Sequence, residues 1–307
     1  MKSLFLYICS IVLFSFSAFA QVPIKTSIFG INSWVIDPTA ATPNQLDALW
    51  PSVASSGVKY VRVGGITFNY DPLYSWDETT FTVSEAQISK LIYIIDKIRG
   101  QSPKMQPIIQ VGFNPVCPAP VGTLTNSITM QNQATIAGNV VKAVNAHYSG
   151  EPILNWIIAN EPDHAIKCVS PRGGYNYGLE TDAITIAAYI KEFAKKMKDA
   201  DNRITIIGPE LAAFGNDKFY SRNELMNSLI SDPAATATKD KSIMGTIGGT
   251  GLGAGKYFID VVSFHYYPKP ADRDEVISEA GNVFKNKIID DNDNTNNTLG
   301  IIEMINN

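Results

Sequence analysis

From residue 25 onward two kinds of segment alternate along the chain. Short runs rich in β-branched residues are followed by longer stretches whose apolar positions recur at helical spacing. The strand-like runs are Thr26–Ile31, Val58–Val63, Gln106–Val111, Ile153–Ile158, Ile204–Ile207, Phe258–Phe264 and Leu299–Ile302. Several are apolar at nearly every position, the pattern of strands covered on both faces. Helices are predicted over Pro43–Ser55, from Ser84 to Arg99, and over Thr135–His147, Asp182–Asp199, Lys218–Ile230 and Asp274–Ile289. Thr42 and Ser84 stand where N-caps belong, Pro43 at a first helical position and Gly100 at a C-terminal stop.

Repeated βα units imply parallel strands joined by helical crossovers, in an open sheet or a closed barrel. Two features favour the barrel. The first βα turn, around Asn32-Ser33-Trp34, lacks the glycine-rich loop of dinucleotide-binding sheets. Polar residues also recur just past several strand ends, where a barrel carries its active site: Arg62, Asn114, Asn160-Glu161, Glu210, His265 and Glu303. The expected fold is therefore a (β/α)8 TIM barrel. Only seven strands are counted before Asn307, so the barrel is expected to be truncated at the C-terminus after the seventh.

The first twenty residues follow a different rule. Met1-Lys2-Ser3 is positively charged, Leu4 to Phe16 is apolar, and Ala18-Phe19-Ala20 is a small-x-small cleavage signal. This predicts a secretory signal peptide over residues 1–20, with an uncleaved anchor as the alternative. The apolar run is short for a spanning helix, which needs about 20 residues. Residues 21–307 are then expected to form one C-terminally incomplete β/α-barrel domain, secreted or periplasmic and free of the membrane after cleavage.

Composition narrows the partners. Hydrophobic residues make up 45% of the 307, charged residues only 18%, and the net charge is −4 with no basic run. A nucleic-acid backbone is thus a poor ligand. Aromatic residues at 10%, with four Trp and thirteen Tyr, suit an uncharged ligand with flat apolar faces such as a sugar, and also suit an ordinary core. There is no C-x-x-C or H-E-x-x-H and there are three His in all, so neither a metal nor another cofactor is expected. Cys117 and Cys168 follow the third and fourth strands, where they are expected to form a rim disulfide or stand as two free thiols. Gly245 to Gly251 precedes a strand instead of leading from one into a helix, so it reads as a loop and not a phosphate cradle.

The densest chemistry lies in Asn155-Trp156-Ile157-Ile158-Ala159-Asn160-Glu161-Pro162, an apolar strand ending in an amide and a carboxylate. This resembles clan A of the retaining glycoside hydrolases, whose fourth barrel strand ends in Asn-Glu-Pro. The plain alternative is a polar turn punctuated by Pro162. The resemblance implies that Glu161 is the catalytic acid/base and that Glu303, after Leu299–Ile302, is the nucleophile; Ile302 stands where the clan often has Thr. Glycoside hydrolysis needs one carboxyl group to donate a proton and a second to attack, roughly 5 Å apart in retaining enzymes.

The same resemblance implies further roles. Tyr60-Val61-Arg62-Val63-Gly64-Gly65 is similar to the Arg-x-Gly-Gly turn of families 44, 51 and 79, so that Arg62 would steady the nucleophile. Ser263-Phe264-His265-Tyr266-Tyr267 resembles the clan's His-x-Tyr, placing His265 at the sugar and Tyr267 at the nucleophile. Asn160 would hold the sugar 2-hydroxyl. Trp34 and Trp76 are candidates for stacking on a sugar ring, or for packing. Glu210 reads as a substrate contact, as a nucleophile under a different strand count, or as a solvent-facing loop acid. Family 44-like endoglucanases are the nearest resemblance, on Arg-x-Gly-Gly and Asn-Glu-Pro-Asp together. The expected substrate is a β-linked polysaccharide or oligosaccharide acted on by a monomer. A non-catalytic carbohydrate-binding protein on a degenerate barrel is the rival reading.

Overall fold

A computed structural model of the chain describes residues 30–32, 43–63, 76–77, 82–83, 85–111, 127–163, 179–211 and 222–264. In chain order these form β1 (Gly30–Asn32), α1 (Pro43–Ser55), β2 (Tyr60–Val63), β3 (Trp76–Asp77), β4 (Thr82–Val83), α2 (Glu85–Arg99) and β5 (Gln106–Val111). There follow α3 (Ser127–His147), β6 (Asn155–Ile158), α4 (Leu179–Ala200), β7 (Thr205–Leu211), α5 (Arg222–Leu229) and β8 (Val261–Phe264).

Six of the strands make one parallel sheet in the order β1-β2-β5-β6-β7-β8, while β3 and β4 form a small antiparallel pair. Sheet order follows chain order, with helices alternating between strands, as the βα pattern requires. Among the described residues β1 and β8 are the two edges of this sheet. The predicted strand Leu299–Ile302, the predicted helix Asp274–Ile289 and residues 1–20 lie outside the described residues.

One face of the sheet is packed by helices. Val61 and Val63 of β2, Ile109 and Val111 of β5, Trp156 and Ile158 of β6 and Ile206 of β7 are all buried, and the register puts neighbouring members side by side. Against them lie Leu91, Ile95 and Ile98 of α2, Val140, Val141 and Val144 of α3, and Ile190, Phe193 and Met197 of α4. The apolar residues of α2 recur at i, i+4 and i+7, one stripe of a helix. Longer contact is made between α3 and α4, where Gly138 brings the backbones close: a Cβ there would stand 2.8 Å from the Lys196 carbonyl oxygen.

Polar side chains tie the strand starts to the helices. Asn145 of α3 accepts the backbone N–H of Ile153 at 2.9 Å and donates to the Ile153 carbonyl at 3.2 Å, pinning the approach to β6. It also donates to Asp201 at 2.8 Å, which reaches the turn before β7. Buried Lys198 of α4 donates to Asp260, just ahead of β8.

Several boundaries differ from those the sequence predicts, those of α3 and β7 among them. α3 begins eight residues earlier than Thr135, in a stretch containing Ser127, Ile128 and Thr129. β7 continues past Ile207 through Gly208-Pro209 to Leu211. A register shift at Pro209/Leu211 lets the proline sit in a paired strand. The glycine-rich segment is a turn folded onto the end of α4, where Gly253 donates its N–H to Asp199 at 3.1 Å, and a Cβ on Gly251 would collide with that carboxylate.

Candidate active site

Parallel strands deliver all their C-terminal ends to one edge of the sheet. Four of those ends carry polar side chains here: Arg62 on β2, Gln110 on β5, Asn160 and Glu161 just after β6, and Glu210 on β7. Arg62 and Gln110 lie on the face opposite the helices, since they alternate with Val61, Val63, Ile109 and Val111. Strict alternation would send residues 160 and 210 to the helix-covered face with Trp156, Ile158 and Ile206. It does not hold at either strand end.

The backbone explains the departure. Among the described residues the non-glycine residues with positive φ are Ala159 (64°), Glu161 (50°) and Glu210 (58°). Each such left-handed residue costs about 1 to 2 kcal/mol. Ala159 still donates its N–H to Val111 at 2.7 Å, so the chain turns while attached to the sheet, and Asn160 emerges on the side of Arg62. Glu210 is the extra residue of the bulge in β7, with Pro209 opposite Ser263 and Leu211 opposite Phe264. Bulges re-aim side chains, and this one turns Glu210 toward Arg62 as well.

Arg62 is the centre of the cluster. Its Nη2 donates to Gln110 Oε1 at 2.7 Å and to Asn160 Oδ1 at 2.8 Å, and it lies 3.0 Å from Glu210 Oε2. One amino nitrogen carries only two hydrogens, so three oxygens share them. The ion pair is sheltered, with side-chain exposures of 12% for Arg62 and 7% for Glu210. Gln110 is 1% exposed, and its Nε2, like the Arg62 Nε, is buried without a hydrogen-bond partner among the described residues. Polar atoms in that condition carry a desolvation cost of about 1 to 3 kcal/mol. A backbone bond completes the assembly: the Glu161 N–H donates to the Glu210 carbonyl at 2.9 Å. Asn160, Pro162 and Asp163 are buried, whereas Glu161 between them is partly exposed. Of the two acids of this turn it is the more exposed.

Arg62, Asn160 and Glu161 are thus brought to one edge of the sheet. Glu210 is corrected from a possible solvent-facing loop acid to a buried, ion-paired strand residue. Gln110 was not singled out by its sequence, although a glutamine inside Pro107-Ile108-Ile109-Gln110-Val111 is the polar exception in an apolar run. Glu303, His265, Tyr267, Trp34, Cys117 and Cys168 lie outside the described residues. Trp76 belongs to β3, paired opposite Val83. Among the described residues no group of three or more His, Cys, Asp and Glu could hold a metal ion, and no helix is long and apolar enough to cross a membrane.

No protein-family model matches the sequence, and no curated protein matches it. Solved structures do. The chain is similar to an endo-1,4-β-mannanase from Rhizomucor miehei, with 16% identity and a TM-score of 0.52 over 85% of this chain and 75% of that one. It is also similar to an exo-β-1,4-mannosidase from Opitutaceae bacterium strain TAV5 (14% identity, TM-score 0.46), covering 79% of this chain and 38% of that one. A third is a broad-specificity endoglucanase from Ruminococcus champanellensis with bound cellotriose (15% identity, TM-score 0.42, 62% and 57% covered). This chain therefore spans well under half the length of the mannosidase. The likeness to the mannanase is one of fold: an α/β architecture with a parallel sheet of alternating strands and helices, as in barrel glycosidases.

Proposed function

We propose that the chain is a retaining glycoside hydrolase of the (β/α)8 type that cleaves a β-linked polysaccharide by double displacement, with Glu161 as acid/base and Glu303 as nucleophile. One observation carries the reading. At the end of the fourth strand of the parallel sheet, a partly exposed glutamate directly follows an asparagine anchored to an arginine of the second strand. Barrel enzymes carry catalysis at that edge. The fold shared with an endo-1,4-β-mannanase supports the reaction class.

In the first step Glu161 donates a proton to the departing glycosidic oxygen while Glu303 attacks the anomeric carbon. The first carboxylate then accepts a proton from water, which hydrolyses the glycosyl ester. Asn160 holds the sugar 2-hydroxyl, a bond that strengthens as positive charge develops on the ring. His265 and Tyr267 contact the sugar and the nucleophile, and Trp34 offers a stacking face. The charged-then-apolar N-terminus supports export, so the glycan is met outside the cytoplasm.

The test is turnover of a panel of aryl β-glycosides and β-1,4-glycans by the full chain, followed by Glu161→Gln. General acid–base assistance is worth about 10²- to 10⁴-fold. The variant is expected to lose that much on substrates with poor leaving groups, and far less on a dinitrophenyl glycoside, whose leaving group needs no proton. A wild-type chain that binds glycans but hydrolyses none of the panel would make it a carbohydrate-binding protein instead.

A further inference from the structure

We propose that Glu210 is a positioning residue for this reaction, acting through Arg62 on the Asn160 amide. The inference rests on the reading of Glu161 as acid/base and Asn160 as the partner of the sugar 2-hydroxyl. Glu210 reaches that pair by two independent routes. Its carboxylate lies 3.0 Å from Arg62 Nη2, which donates to Asn160 Oδ1 at 2.8 Å. Its carbonyl accepts the N–H of Glu161 at 2.9 Å.

The fold holds Glu210 in this place at a cost. A left-handed φ of 58° on a glutamate and a bulge in a parallel strand are both unfavourable by themselves. Together they turn a side chain that alternation would send among the helices onto the face of Arg62. A carboxylate at 7% side-chain exposure also needs a counter-charge, and Arg62 supplies it. An acid that served only to fill the strand end would require none of this.

The chemical consequence lies in the orientation of one amide. Asn160 has an acceptor end and a donor end. Arg62, having no acceptor, binds only the oxygen, and this aims the amide nitrogen the other way. There it can donate to the oxygen of a sugar hydroxyl. Glu210 keeps the guanidinium in the position from which it does so, with Gln110 as a second anchor at 2.7 Å. Removing the negative charge lets Arg62 shift and the Asn160 amide turn. Glu161 stays attached through its backbone, so proton donation survives while the grip on the 2-hydroxyl loosens.

The experiment is a substrate-truncation cycle on the full chain: Glu210→Gln against wild type, each with an aryl β-glycoside and with its 2-deoxy analogue. A misplacement of this kind is expected to lower kcat by about 10- to 100-fold on the 2-hydroxy substrate with KM nearly unchanged. On the 2-deoxy substrate the same substitution should cost about 3-fold or less, because the interaction it disturbs is already absent. Glu210→Asp, which retains the charge at a shorter reach, should fall between wild type and Gln. Should Glu210→Gln fail to fold, the paired variant Arg62→Met/Glu210→Met removes both charges, and it should show the same loss of 2-hydroxyl dependence.

Equal losses on the two substrates would reduce Glu210 to a stabilising ion pair and overturn the proposal, leaving the hydrolase reading intact. A wild-type chain inert on both substrates overturns the hydrolase reading itself, and the role of Glu210 with it. The Glu161→Gln arm separates the two failures, since it reports on acid/base catalysis alone.

Discussion

Lys198 Nζ lies 2.7 Å from Asp260 Oδ2, and the same oxygen accepts the backbone N–H of Ile206 at 2.7 Å. Lys198 also donates to the Tyr257 carbonyl at 2.5 Å. One carboxylate therefore joins the end of α4 to the starts of β7 and β8, at the edge of the sheet opposite the candidate site. The lysine side chain is 2% exposed and the aspartate 29%. Asp260→Ala would leave a buried ammonium and a strand N–H short of an acceptor, a loss of about 3 kcal/mol. Lys198→Met removes the charge together with its need for a partner, so it should cost clearly less. Urea denaturation of the two variants compares them, and equal losses would contradict this account.

Gly138 offers a prediction whose sign runs against helix propensity. Replacing an interior helical glycine by alanine normally gains about 1 kcal/mol. Here the added methyl meets the Lys196 carbonyl oxygen at 2.8 Å, and backbone cannot swing aside as a flexible side chain would. Gly138→Ala should separate α3 from α4 and destabilise the protein by about 1 to 3 kcal/mol. A raised melting temperature for this variant would show that the two helices have room to spare.

Asp201 gives a pH dependence. Its carboxylate accepts from Arg203 Nε at 2.8 Å and Nη2 at 2.7 Å, from the Arg203 N–H at 3.0 Å and from Asn145 at 2.8 Å. The Arg203 side chain is the largest influence, burial opposes it, and the net effect holds Asp201 below the ordinary 3.8. A carboxylate depressed in the folded state contributes stability in full above its unfolded value, and loses it as pH falls through the folded one. Stability should therefore decline below about pH 4. In Asp201→Asn that component is missing, so the variant should be less stable near neutrality and fall less steeply in acid. Denaturation curves between pH 2.5 and 6 decide it; parallel slopes for the two proteins would exclude Asp201 as a contributor.

What could be read from the sequence, and what could not, divides along physical lines. The alternation of strands and helices is written in local periodicity. The parallel sheet and the helix boundaries of α1 and α2 follow from it, as does Asn160-Glu161 after the fourth parallel strand. The bulge in β7 is not local. Gly208-Pro209 carries the usual marks of a strand end, and only the register against β8 shows that the strand continues to Leu211. The ion pair of Glu210 was hidden for the same reason, because Arg62 lies on a strand far away in the chain. β3 and β4, at two residues each, are too short to leave a periodic trace.

The sheet order β1-β2-β5-β6-β7-β8 bears on how the molecule assembles. Among the described strands of this sheet, each from β2 to β8 docks beside the sheet strand that precedes it in the chain, so each finds a partner already made. A ribosome releasing the chain from its N-terminus would extend a growing edge one βα unit at a time. Arg62 would then be in position before Asn160 emerges, and Asn160 before Glu210, so the bulged strand would close over a cluster whose other members already stand.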